Sequence, residues 1–332
     1  MHRELKRAGK TVERSTSVGR SWVRAACGTA IALSACGGAA LEDDPTAGPW
    51  AEGGEAPPAF VFMSERTGQG DLYVTDISGS RLRQLTFEPA PDYSPRWADG
   101  TSTLYFLSDR SPEPGVYRMS LERDTAVFVQ PNPAGDEAPR PSPDGSWIAY
   151  PATRNGNQDI YISRPDGTDE RRVTQSEGND RQPAWSPDGR TLAFTSFRDR
   201  NAEIYTIDVW GGSPRNITRN RSNDTHPSWS PDGEKLLFDS DRPPNGNPDI
   251  FVTDRLGTRV TNLTNHGSVD LIASWSPDGR WITFGSSRDG DWEIYVMRPD
   301  GTEQRRITRS RGFDGDANWV PAEAVRWRPA QP

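Results

Sequence analysis

Cysteine is almost missing from this chain: Cys27 and Cys36 are its two cysteines among 332 residues, and both lie within the first 36. The rest can therefore hold neither a disulfide nor a thiolate metal site. Histidine is scarcer than tryptophan, three against twelve. Beyond the first residues there are only His226 and His266, too few for a histidine-rich metal cluster. No HExxH and no GxSxG is present, and no Ser/His/Asp set stands out, so the common hydrolase signatures are missing. Apolar residues make up only 33% and mean hydropathy is -0.81. The twelve Trp and eleven Phe still supply buried surface. With 31 Gly and 29 Pro for turns, many short strands fit this composition better than thick helices.

Charge is uneven along the chain. Residues 1–35 carry seven Lys or Arg against two acids, a net of +5, which leaves -13 on the remainder. An acidic body of that size is a poor partner for a phosphate backbone or an anionic membrane surface, so no nucleic-acid partner is expected. Basic residues run from Arg3 to Arg24, and "AACGTAIALSA" then provides about eleven small or apolar residues before Cys36. That run is too short to span a bilayer and suits the apolar core of an export signal. "LSAC" (Leu33 to Cys36) resembles the bacterial lipobox, which implies acylation of the Cys36 thiol and cleavage just before it. Gly37 resembles the sorting position of Gram-negative lipoproteins that proceed to the outer membrane. The expected organisation is a lipoprotein signal over 1–35, a flexible tether over 36–58 and a folded body over 59–332, held at the envelope through its lipid.

The body repeats. Taking the Trp of "WSPDG" as origin, equivalent positions are Trp97, Pro141, Trp185, Trp229, Trp275 and Trp319, spaced by 44 residues except for one step of 46. Five residues before each stands an acid: Asp92, Asp136, Asp180, Asp224, Asp270 and Asp314. Thirteen after the first five stands an arginine: Arg110, Arg154, Arg198, Arg242 and Arg288. Each unit parses into four short strands. In the unit around Trp185, "QPAW" leads into an "SPDG" type I turn and "TLAFTS" returns, apolar enough to be buried on both faces. "EIYTID" follows, and "PRNIT" is a polar outer strand. A period of 40–50 residues with four strands per unit is the signature of a β-propeller.

The ends set the blade number. Residues 60–86 carry strands two to four of a unit but lack the first, and "DGDANWV" near the C-terminus is a first strand without its continuation. A ring resolves both if Trp319 supplies the strand missing beside Phe60. The expected fold is an all-β, six-bladed propeller of four-stranded antiparallel blades, closed by the C-terminal strand, with Asp314 brought to Arg66.

These positions resemble the TolB-type propeller repeat (PD40, or WD40-like), whose pattern is near "PxWSPDGxxIAFxSxRxGxxxIYVMxxDGxxxxxLT". The resemblance covers about residues 60–320. It departs where Trp97 is followed by "ADG", where Pro141 replaces a Trp and where "VPAEA" follows Trp319. TolB itself carries an additional N-terminal domain without a counterpart in this sequence. The resemblance therefore implies the fold and an envelope location, and not TolB's specific role.

Strand direction gathers the acids and arginines at one end of the ring and the "SPDG" turns at the other. Each Asp is expected to accept bonds from loop N–H groups and from an Arg, locking blade to blade. The rival reading is a carboxylate ring holding Ca²⁺, whose oxygen ligands it would supply. No other cofactor is expected. His226 and His266 are placed in loops between blades at the Asp/Arg end. Unrepeated loop residues there are the candidates for partner binding: Tyr93, Arg219, Arg221, His226, Trp292 and Phe313. The expected role is a monomeric, non-catalytic binding or scaffolding module of the envelope that takes a protein or peptide at that face. The alternatives are an enzyme acting on envelope glycan or peptide through the channel, or a carbohydrate-binding protein using Trp292 and Tyr93. Unrepeated titratable residues lining the channel would favour the enzyme.

Overall fold

The computed structural model describes residues 57–327 apart from 99–100, 111, 113, 123–124, 133–136, 155 and 326. The signal, Cys36 and nearly all of the tether lie outside the described residues. Every blade is built on a second strand that alternates large apolar groups toward both of its neighbours. In "TLAFTS", Leu192, Ala193 and Phe194 are all fully buried, as a strand sandwiched between two other sheets requires.

The first three strands are β1 (Ala59–Ser64), β2 (Asp71–Asp76) and β3 (Leu82–Gln84). The next blade holds β4 (Asp92–Ala98), β5 (Thr103–Ser108), β6 (Gly115–Met119) and β7 (Ala126–Gln130). After it come β8 (Arg140–Pro141), β9 (Ile148–Arg154), β10 (Asn157–Ser163) and β11 (Arg171–Arg172). The fourth blade is β12 (Asp180–Trp185), β13 (Thr191–Ser196), β14 (Glu203–Asp208) and β15 (Arg215–Asn216). The fifth is β16 (Asp224–Trp229), β17 (Lys235–Ser240), β18 (Asp249–Asp254) and β19 (Val260–Asn262). The last full set is β20 (Asp270–Trp275), β21 (Ile282–Asp289), β22 (Asp291–Met297) and β23 (Arg305–Arg306). β24 (Asp314–Val320) then joins β1, giving the order β24-β1-β2-β3 and six four-stranded antiparallel sheets. Phe60 lies opposite Trp319 in that pairing, with the two rings edge to face at 5.5 Å. The closure expected from the unmatched ends is the closure observed.

Blades adhere through interleaved apolar layers. Ala149, Ile160 and Ile162 of one blade meet Leu192, Phe194 and Tyr205 of the next, with Trp185 packed against them. Each such side chain contributes roughly 1.5–3 kcal/mol when fully buried. The "SPDG" turns close as their composition requires. The Gly189 N–H donates to the Ser186 carbonyl at 2.9 Å, and Gly189 sits at φ +68°, a left-handed position that only glycine takes freely. In the third blade, Pro141 stands where the others have Trp. There β8 shrinks to two residues, since proline brings no N–H to the ladder. Among the described residues no helix is long and apolar enough to cross a membrane.

The first strands carry a shared irregularity. Register shifts between Tyr93 and Arg96, Arg181 and Ala184, Thr225 and Ser228, and Leu271 and Ser274. At each shift one residue is left-handed: Ser94, Gln182, His226, Ile272 and, in β24, Asp316, all with φ between 51° and 58°. A bulge at this point turns the strand and re-aims one side chain in five of the six blades.

Candidate functional site in the central channel

The repeated acids and arginines pair. Arg Nη2 donates to the Asp carboxylate at 2.9 Å for Arg110–Asp92, 3.0 Å for Arg198–Asp180, 2.8 Å for Arg242–Asp224, 2.9 Å for Arg288–Asp270 and 2.9 Å for Arg66–Asp314. The carboxylates are fully buried. Each guanidinium also lies over a ring of its own third strand, for instance 4.6 Å above Tyr117 and 4.6 Å above Tyr205. The pair therefore staples strands one, two and three of a single blade rather than joining one blade to the next. In the third blade Asp136 lies outside the described residues, and Arg154 instead meets Glu170 at 2.7 Å. Burial raises the carboxyl pKa of Asp92 and Asp224 above the ordinary range even against their arginine partners. With every described carboxylate facing its own guanidinium, the acids do not converge on a common point. Among the described residues no group of three or more His, Cys, Asp or Glu comes within reach of one metal ion.

Blade-to-blade links come from other groups. The Trp185 indole N–H donates to the Arg140 carbonyl at 2.9 Å, Trp229 to Ala184 at 3.2 Å and Trp319 to Ser274 at 3.0 Å, each reaching the preceding blade. The bulge N–H groups do the same. Gln182 N donates to Glu137, His226 N to the Gln182 side-chain oxygen and Ile272 N to Asp239.

A cavity of about 350 Å³ runs along the axis. It extends from the bulge residues Gln182, His226, Ile272 and Asp316 to the prolines of the "SPDG" turns, Pro143, Pro187, Pro231 and Pro277. Its titratable lining is unrepeated. Arg96 of β4 donates to Asp316 of β24 in the neighbouring blade at 2.7 Å, while Arg140 stands beside them. His226 is not in a loop, as the spacing suggested, but in β16, where the bulge carries it into the channel wall. Its Nδ1 lies 2.7 Å from Asp239, and its Nε2 lies 2.7 Å from the Gln182 side-chain amide nitrogen. The Gln182 oxygen is already taken by the Thr195 hydroxyl at 2.7 Å and by His226 N–H. Its NH₂ must therefore face the imidazole, so Nε2 accepts and Nδ1–H donates to Asp239. Asp239 is itself pushed up by burial, partly offset by His226.

The other candidates divide between exposed loop residues and half-buried aromatics. Arg219 and Arg221 are exposed on the loop between β15 and β16, and His266 is exposed between β19 and β20. Tyr93 is half-buried and its hydroxyl donates to Asp109 at 3.1 Å. Trp292 and Phe313 come together, with ring planes 3° apart and centroids at 6.0 Å. A Cβ at Gly285 would lie 2.6 Å from the Trp292 ring nitrogen, and one at Gly315 would lie 2.4 Å from the Phe313 ring. The aromatic pair thus lies across two glycines, and its partner is Phe313 rather than Tyr93. The Gln182–His226–Asp239 relay escaped sequence reasoning. The available signal was the non-repeating residue two places after each repeated Asp.

The TolB beta propeller domain family model (PD40) matches residues 139–245 and 243–325. Among solved structures, TolB from Acinetobacter baumannii superposes with a TM-score of 0.68 at 23% identity, covering 80% of this chain and 67% of that one. TolB from Agrobacterium tumefaciens gives 0.62 at 23% identity, covering 77% and 89%. An oligogalacturonate lyase in complex with manganese gives 0.51 at 17% identity, covering 76% and 73%. At these identities the likeness is one of fold. No curated protein matches the sequence.

Proposed function

The chain belongs to the TolB beta propeller domain family, and from that membership and the surface just described we propose a non-catalytic binding or scaffolding module of the bacterial cell envelope. It docks a protein or peptide at the Asp/Arg end. The observation that carries this reading is the Trp292–Phe313 stack. It is an unrepeated, half-buried aromatic pair seated on two glycines, while the repeated polar residues around it are engaged inside their own blades. Aromatic anchors of this kind dominate protein interfaces, and the exposed Arg219 and Arg221 suit an acidic rim on the partner. Cys36 acylation would hold the module at the periplasmic face of the outer membrane.

Crosslinking in native envelopes followed by affinity recovery tests the docking. The intact chain should bring down a defined protein, and Trp292→Ala with Phe313→Ala should lose it while the propeller stays folded. Unchanged recovery from the double variant would place the interface elsewhere. A Cys36→Ser chain should leave the membrane fraction; retention there would refute the anchor.

The enzymatic reading is favoured by the unrepeated titratable residues of the channel, Arg96, Arg140 and Asp316, and by the Asp239–His226 pair in its wall. Gln182 caps the His226 Nε2, and among the described residues no Ser, Thr or Cys side chain hydrogen-bonds to the imidazole. The pair is better suited to fixing the bulge than to proton transfer.

A further inference from the structure

The channel carries a second feature, separate from the docking surface. Four residues after each repeated Asp, one side chain per blade forms a belt around the cavity: Arg96, Arg140, Ala184, Ser228, Ser274 and Asn318. The belt is unrepeated, and its unengaged polar groups can donate hydrogen bonds. Arg96 is taken by Asp316. The Asn318 oxygen accepts from Trp97 N–H at 2.6 Å, which turns its NH₂ toward the cavity. Among the described residues nothing hydrogen-bonds to the Arg140 guanidinium, to the Ser228 or Ser274 hydroxyls or to that NH₂. The lining holds two guanidiniums and one carboxylate, Asp316, which is taken by Arg96. Glu137, bonded to Gln182 N–H, acts on Arg140 through its charge, and the Arg140 fork itself is left without a hydrogen-bond partner among the described residues. Its surroundings resist the charge it carries. Burial, with the neighbouring Arg96 charge, lowers its pKa to about 9, against opposing contributions from Asp316 and Glu137.

We propose that this belt binds a carboxylate group, held by Arg140 and by the Asn318, Ser228 and Ser274 donors, inside the propeller channel. One free guanidinium fork matches one carboxylate, and Asp316 and Glu137 would repel a second negative charge. A guanidinium fork suits the planar carboxylate, and such charge-assisted bonds are the strong ones. The cavity is at the small end of ligand pockets, which run from about 300 to 1,000 Å³. The prolines of the turns give an apolar wall beyond the belt for the body of the ligand. The carboxylate could come from a peptide C-terminus or from a free organic or sugar acid.

The test is titration of the full-length protein by calorimetry and by the Trp185 indole N–H resonance, since that group donates to the Arg140 carbonyl. The probes are N-acetyl-alanyl-alanine, the same dipeptide as its C-terminal amide, and glucuronate. At least one acid should bind and move the Trp185 signal, and the amide should not. Binding of the dipeptide acid alone identifies a peptide terminus, and binding of glucuronate alone identifies a free acid. Arg140→Gln should weaken binding about tenfold or more with an unchanged circular dichroism spectrum. Trp292→Ala should bind as the parent does, which separates this site from the docking face. Equal binding of acid and amide, no binding of either acid, or full affinity in folded Arg140→Gln would overturn the proposal.

Discussion

Removing the indole at the seam tests how the ring is held. Trp319 is 4% exposed, meets Phe60 edge to face and donates to the Ser274 carbonyl. It therefore joins three things: the last strand, the first strand and the preceding blade. Truncating a buried Trp to Ala costs about 3–5 kcal/mol through lost burial and the cavity left behind. Replacement by Phe keeps most of the burial and forfeits mainly the hydrogen bond, about 1 kcal/mol net. With a urea slope of about 3 kcal/mol/M, the upper part of the usual range, Trp319→Ala should lower the unfolding midpoint by roughly 1–1.7 M. Trp319→Phe should lower it by about a third of a molar unit. The assay is urea unfolding followed by far-ultraviolet circular dichroism and by tryptophan fluorescence in parallel. A midpoint for Trp319→Ala within about 0.3 M of the parent, below the smallest shift this energy allows, would mean that the ring is not closed through this residue. A chain ending at Arg311 removes β24 outright and should show no cooperative transition.

Three further outcomes follow from the same geometry. Arg110→Ala leaves the buried Asp92 carboxylate without its partner and should cost about 3–5 kcal/mol at pH 7. Because burial already raises the Asp92 pKa, that loss should shrink as pH falls and the carboxyl becomes neutral; denaturant midpoints at pH 7 and pH 4.5 check this. Gly257→Ala should destabilise well beyond the ~1–2 kcal/mol of a left-handed alanine. Its Cβ would lie 2.0 Å from the Ile217 carbonyl, whereas Gly246→Ala, with open space around it, should cost only the backbone term in the same thermal melts. Asp254 has its pKa lowered to about 2, chiefly by the Thr258 hydroxyl. A depressed carboxylate contributes stability above its unfolded pKa and loses it as pH falls. The stability difference between the parent and Asp254→Asn should therefore fade between about pH 4 and pH 2.

The fold was legible because the sequence states it six times. The spacing of Asp, Trp and Arg counts the blades, and the unmatched halves at Phe60 and Trp319 can be completed only by each other. The Asp/Arg pairs were legible as pairs but not in their reach. Sequence spacing cannot distinguish a bond within a blade from one across blades, and the stacking of Arg on its own Tyr decides for the former. Carbohydrate binding through Trp292 and Tyr93 would have been favoured by finding the two rings side by side. Gly285 and Gly315 instead let Trp292 lie flat against Phe313.

By itself the sequence determined everything that depends on local pattern: strand period, turn chemistry, blade number and the end that closes the ring. The tertiary structure alone decided what faces the axis. In five of the six blades one left-handed residue in the first strand shifts the register and re-aims its side chain, so that His226 becomes part of a channel wall. A change of hand at a single φ leaves no mark in composition or spacing, because the residue that makes it is Ser, Gln, His, Ile or Asp without preference. Its consequence appears only when six blades converge on a common axis.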